Sequence, residues 1–157
     1  MVNLCACLIV TAKWLLIGEA IVLNAGAGEI VQVGAHHMRR VLVVDDNEDA
    51  AELVASMLSI LGFDTMAVYG GAEALAAAAS YMPSVIFLDL GMPGMSGFEV
   101  ATKLRDLPGL ETVFIAALTG WGDAATRART AAVGFDTHLQ KPAAMDDLVR
   151  ICEKAPT

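Results

Sequence analysis

Three acids, a hydroxyl and an amine each follow a short run that reads as a strand, apolar in every case but the last. Asp45 and Asp46 come after Val41-Leu42-Val43-Val44, Asp89 after Val85-Ile86-Phe87-Leu88, Thr119 after residues 113–118, and Lys141 after residues 137–140. Carboxylates gathered in one crevice do not all stay ionised unless a cation intervenes, because each like charge raises its neighbours' pKa values. Mg²⁺ meets that need, since it takes oxygen ligands and is commonly held by one or two carboxylates together with phosphate oxygens and water. Lys141 adds a second positive charge able to pair with a phosphoryl oxygen, and Thr119 offers a hydroxyl donor to another. This is a site for a phosphoryl group rather than for a base or a hydride. Taken singly the residues are bland, Asp45-Asp46 as a turn and cap pair and Lys141-Pro142 as a turn. Their joint placement after strand-like runs carries the chemical reading.

The elements that must position them are predicted by the same pattern. Short apolar, β-branched runs are what strands buried on both faces of a parallel sheet look like. Strands are predicted at 41–44, 65–69, 85–88, 113–118 and 137–140. Asn47 can cap a helix whose apolar face is read as Leu53, Val54, Met57, Leu58 and Leu61, with Gly62 suited to its left-handed C-terminal position. Further helices are predicted over 72–81, 98–107, 123–133 and 145–153, with Pro83 and Pro108-Gly109 as breakers. Five strands alternating with five helices imply an α/β fold, an open parallel sheet covered on both faces. In such sheets ligands collect outside the carboxyl ends of the strands.

Composition bounds the rest. With 56 % hydrophobic residues and 18 % charged, a disordered chain is excluded, and 157 residues allow one domain with some excess. Ten Lys+Arg against 18 Asp+Glu leave −8, with pI ≈ 4.7, so nucleic acid is not expected as a partner. Cys5, Cys7 and Cys152 match no metal spacing and read as reduced thiols of a cytoplasmic protein. The excess lies at the front, where residues 1–37 are read as a poorly ordered or non-native leader and 38–157 as the domain. The apolar stretch 4–23 contains Lys13 and Glu19, so a membrane anchor is not expected. Gly26-x-Gly28 lacks the third glycine of a dinucleotide fingerprint, and His36-His37 is a weak metal signal.

Residues 40–154 resemble a response-regulator receiver domain. The resemblance rests on Val-Val-Asp-Asp at 43–46, Leu-Asp-Leu-Gly-Met-Pro-Gly-Met-Ser-Gly at 88–97, Ala-Leu-Thr-Gly at 117–120 and Gln-Lys-Pro at 140–142. It is similar to chemotaxis-type receivers and, through Gly-Phe-Asp-x-His-Leu-x-Lys-Pro at 134–142, to receivers of hybrid sensor histidine kinases. It implies a flavodoxin-like (βα)5 fold with strand order 2-1-3-4-5. For function it implies a bacterial two-component phosphorelay, with Asp89 as acceptor of a phosphoryl group from a phosphohistidine on a histidine kinase or histidine phosphotransfer protein. Asp46, Asp89 and the Gly91 carbonyl would bind Mg²⁺ directly and Asp45 through water. Thr119 and Lys141 would contact the phosphoryl group, and a cis bond is expected at Lys141-Pro142.

Receivers usually carry Tyr or Phe three residues before the lysine as a rotamer switch acting with the hydroxyl residue. Here that position is His138, whose imidazole can also swing between buried and exposed rotamers. The resemblance implies signalling through fourth-helix, fifth-strand and fifth-helix contacts with a protein partner whose identity is open. With 16 residues beyond Lys141, no output domain is expected. Chemistry would be confined to self-phosphorylation and self-dephosphorylation. The alternative is an Mg²⁺-dependent phosphatase with an aspartate nucleophile. Such enzymes place an acidic residue two positions after the nucleophile, where this sequence has Gly91.

Overall fold

The structure, a computed structural model, describes residues 21–22, 31–32, 39–120 and 124–155. The chain divides into two units, Met1–His37 and Met38–Thr157. In the first, Ile21 pairs with Gln32 and Val22 with Val31 as a two-residue antiparallel ladder. The readings placed on Cys5, Cys7, Lys13, Glu19, Gly26, Gly28, His36 and His37 lie outside the described residues.

The second unit alternates strands and helices throughout: β1 (Arg40–Val44), α1 (Glu48–Ile60), β2 (Asp64–Val68), α2 (Gly71–Tyr81), β3 (Val85–Asp89), α3 (Gly97–Arg105), β4 (Phe114–Thr119), α4 (Ala124–Ala132), β5 (Thr137–Gln140) and α5 (Met145–Lys154). All five strands are parallel, in the order β2-β1-β3-β4-β5. This is the expected flavodoxin-like sheet. Boundaries shift from the predicted ones by a residue or two, and two shifts matter, because Asp89 and Thr119 end their strands instead of following them.

The apolar runs are continuous because both faces of the sheet are covered. Val41, Val43, Val85 and Phe87 pack with Leu58 of α1 and Leu148 of α5. Leu42, Val44, Ile86 and Leu88 pack on the other side with Ala74 of α2 and Val100 and Leu104 of α3. Each fully buried Val, Leu, Ile or Phe side chain among these contributes about 1.5–3 kcal/mol relative to exposure. Arg105, at the end of α3, ties in the start of β4 and the approach to β5. It donates to the carbonyls of Val113 and Gly134, both at 2.5 Å, and pairs with Asp136 at 3.0 Å.

Helix α1 begins and ends as its sequence predicts. The Asn47 side chain accepts from Ala50 N at 3.1 Å, Glu48 and Asp49 lie at the positive end of the helix dipole, and Gly62 takes φ +93°. The apolar face assigned to it is corrected. Leu53, Met57 and Leu61 are exposed, Val54 is half-buried, and the stripe against the sheet is Ala51, Ala55 and Leu58. Helical spacing defines two adjacent stripes here. Small side chains let the helix axis approach the sheet, so the alanine stripe goes inward and the larger residues stay outside.

Candidate functional site

Four strand ends converge. Asp45, just past β1, is buried, and its backbone N–H donates to the Val68 carbonyl at 3.2 Å while its Oδ1 accepts from Asn47 N at 3.0 Å. Asp46 beside it is exposed. Asp89 ends β3 with only 7 % exposure, and its Oδ1 accepts from Gly91 N at 3.3 Å. Thr119 ends β4, buried, and its carbonyl accepts from Lys141 N at 2.8 Å, so backbone pairing alone sets the lysine beside the threonine. The Lys141-Pro142 bond is cis, as expected.

The lysine head closes the cluster. Its Nζ lies 2.6 Å from Asp45 Oδ2 and 3.0 Å from Asp89 Oδ2, bridging two carboxylates that start 44 residues apart in the chain. Burial by itself would lower the pKa of the Lys141 ammonium, but hydrogen bonds to Asp45 and Asp89 outweigh it and hold the pKa above the ordinary lysine value. Oxygen atoms of Asp45, Asp46 and Asp89 lie within 4.8 Å of one another. That all-oxygen donor set, two members buried and one facing solvent, fits a hard divalent cation that keeps several waters.

The described residues thus bring together Asp45, Asp46, Asp89, Thr119 and Lys141, with Gly91 exposed next to Asp89. His138 sits apart from them, half-buried on β5 opposite Ala117. Its neighbour Leu139 packs on the α1/α5 side of the sheet, so the pleat directs His138 to the opposite face.

The response regulator receiver domain family matches residues 41–153. The chain belongs to this family. Among curated relatives, the DNA-binding response regulator MtrA of Mycolicibacterium paratuberculosis is 35 % identical over 111 residues, which are 71 % of this chain and 48 % of that protein. The transcriptional regulatory protein KdpE of Mycobacterium tuberculosis is 34 % identical over 112 residues, again 71 % of this chain and 48 % of the relative. The chain therefore spans about half the length of the curated relatives it matches. Among solved structures, the Vibrio cholerae chemotaxis protein CheY4 superposes with TM-score 0.72 at 29 % identity, covering 76 % of this chain and 99 % of the other. The receiver domain of the sensor histidine kinase PA1611 from Pseudomonas aeruginosa, solved with a magnesium ion coordinated in its active-site cleft, gives TM-score 0.69 at 26 % identity, covering 74 % and 96 %. This chain is a signalling receiver of the two-component response-regulator type, and the phosphatase alternative is not favoured. Gly91 leaves that alternative without an acid two residues after Asp89.

One expectation is overturned by the relatives. Nucleic acid was excluded on charge, yet MtrA is a DNA-binding response regulator, and the match covers only about half of it. The acidity of a receiver describes the receiver's own surface. It carries no information about DNA binding by a longer protein that contains one. Among the described residues no helix is long and apolar enough to cross a membrane.

The sequence reading missed a groove of about 460 Å³ that opens between α1 and α5. Leu53, Met57, Ala143 and Met145 form its walls, Val43 and Leu118 lie beneath, and Asp45 and Lys141 stand in its lining. The signal was present in α1, where large apolar residues and alanines form neighbouring stripes.

Proposed function

We propose that Asp89 accepts a phosphoryl group from a phosphohistidine on a histidine kinase or histidine phosphotransfer protein, in the cytoplasm of a bacterium. The observation that carries the reading is the Lys141 ammonium held between Asp45 and Asp89, beside the solvent-facing Asp46. An Asp89 carboxylate oxygen attacks phosphorus in line, the O–P bond forms as the N–P bond breaks, and the electron pair leaves with the donor imidazole. Lys141 pairs with a phosphoryl oxygen and the Thr119 hydroxyl donates to another, so the chain's own part is positioning and charge stabilisation. Asp46, Asp89 and the Gly91 carbonyl would hold Mg²⁺ directly and Asp45 through water. When bound, the ion neutralises charge on the transferred group. Return of the phosphoryl group to water follows at the same residues. Thr119 and His138 carry the switch to a protein partner.

The apolar groove supports a helical donor. It borders the phosphoryl site through Asp45 and Lys141, so a helix seated against Leu53 and Met57 would bring a histidine within reach of Asp89. Domain boundaries at 38–157, with 1–37 as a separate leader, belong to the same proposal.

The test is phosphoryl transfer from acetyl phosphate with Mg²⁺, followed by mass mapping. Wild type should gain one phosphoryl group on Asp89 and Asp89→Asn none. An adduct that persists in the variant, or maps elsewhere, refutes the assignment.

A further inference from the structure

A glycine at the start of α3 presses on the backbone of the phosphoacceptor itself. A Cβ built on Gly97 would lie 2.2 Å from the Asp89 carbonyl oxygen, 2.9 Å from Leu90 Cα and 3.0 Å from Asp89 C. These are backbone atoms, which cannot swing aside as a side-chain end can. Gly71 differs, since its close neighbours are side-chain atoms of Met95 and Val100. Ordinary contact begins near 3.4 Å, so any side chain at 97 displaces the Asp89–Leu90 peptide or the helix by about an ångström.

The helix is poorly placed to yield. Gly97 N donates to the Leu90 carbonyl at 3.3 Å, closing the loop that leaves Asp89. Ser96 and Glu99 form a reciprocal cap, with Glu99 N on Ser96 Oγ at 3.4 Å and Ser96 N on Glu99 Oε2 at 3.0 Å. One turn on, Val100, Ala101 and Leu104 are fully buried in the core. The helix start is therefore fixed at both ends of its first turn, so a side chain at 97 strains the Asp89–Leu90 peptide it abuts.

We infer that Gly97 is a positioning residue for phosphoryl transfer: its missing side chain lets the capped start of α3 lie against the Asp89–Leu90 backbone and fixes the acceptor carboxylate relative to Asp45, Asp46 and Lys141. The inference rests on Asp89 being the acceptor. Misplacement of reacting groups by about 1 Å costs up to ~10²-fold in rate.

The experiment uses the full chain with acetyl phosphate, measuring initial rates over a range of Mg²⁺ concentrations, with circular dichroism to establish folding. Gly97→Ala should remain folded while its maximal rate falls at least tenfold or its half-saturating Mg²⁺ rises by as much. A structural role alone would move neither quantity in a fully folded sample. Ser96→Ala, which loosens the cap, should shift the same quantities about two- to threefold. Gly70→Ala serves as control and should match wild type, because a Cβ there meets nothing within 4 Å. A folded Gly97→Ala protein with wild-type rate and Mg²⁺ dependence overturns the inference. If Gly97→Ala does not fold, Ser96→Ala decides, and a folded variant with wild-type kinetics overturns it equally. Wild type lacking label on Asp89 would instead bring down the acceptor reading, and this inference with it.

Discussion

Replacing Lys141 by Met keeps most of the apolar stem and removes the charge. The two carboxylates it bridges are nearly dry, with side-chain exposures of 4 % for Asp45 and 11 % for Asp89, against 32 % for the lysine. Removing one partner of a buried pair costs about 3–5 kcal/mol, because the remaining charges lose their compensation. The lysine is a third exposed, so solvent screening reduces this to about 2–3 kcal/mol. At roughly 4 °C per kcal/mol for a domain of this size, Tm in EDTA should fall by about 8–12 °C. Thermal unfolding by circular dichroism measures it. Mg²⁺ supplies the missing positive charge, so millimolar Mg²⁺ should raise the Tm of Lys141→Met more than that of wild type. In an Asp89→Asn background one of the two carboxylates is already neutral. The same lysine substitution should then cost at least about 1 kcal/mol less, the size of coupling expected of groups in contact. Equal Tm for variant and wild type in EDTA, or the same cost in both backgrounds, would refute the reasoning.

Leu53→Ala with Met57→Ala should slow transfer from a phosphohistidine donor protein at least tenfold and leave the acetyl phosphate rate unchanged, because both side chains are exposed walls of the groove; equal slowing with both donors would count against a docking role. Burial pushes the Cys152 thiol up to about 12, so at pH 8 it should resist maleimide in the folded protein and react in denaturant, and rapid native labelling mapped to Cys152 would contradict its place in the core. Deleting residues 1–37 should leave Tm within a degree or two and the phosphorylation rate unchanged, since 38–157 forms a unit with its own core; a large loss of either would refute that boundary.

A crevice suited to a phosphoryl group was legible in the sequence because it depends on residue type at strand ends, and strand runs buried on both faces announce themselves by unbroken apolar character; the role of each residue within it came from the family resemblance. Asp45, Asp89 and Thr119 could be named on that ground, as could the Asn47 cap and the turn at Gly62, where local geometry admits few residue types, whereas Lys141 follows the mixed run Thr-His-Leu-Gln and is marked by the Gln-Lys-Pro motif. Long-range facts were decided by packing. That Lys141 meets both Asp45 and Asp89 follows from β1, β3, β4 and β5 lying side by side in parallel register, which no local window contains. The inward stripe of α1 was decided by how closely a helix can approach the sheet, which favoured Ala51 and Ala55 over Leu53 and Met57 and left an apolar groove beside the site. Gly97 is the sharpest case. In the sequence it only closes the 88–97 motif, and the folded chain alone shows that a Cβ built on it would lie 2.2 Å from the Asp89 carbonyl oxygen, because a contact between backbones leaves no trace in side-chain pattern.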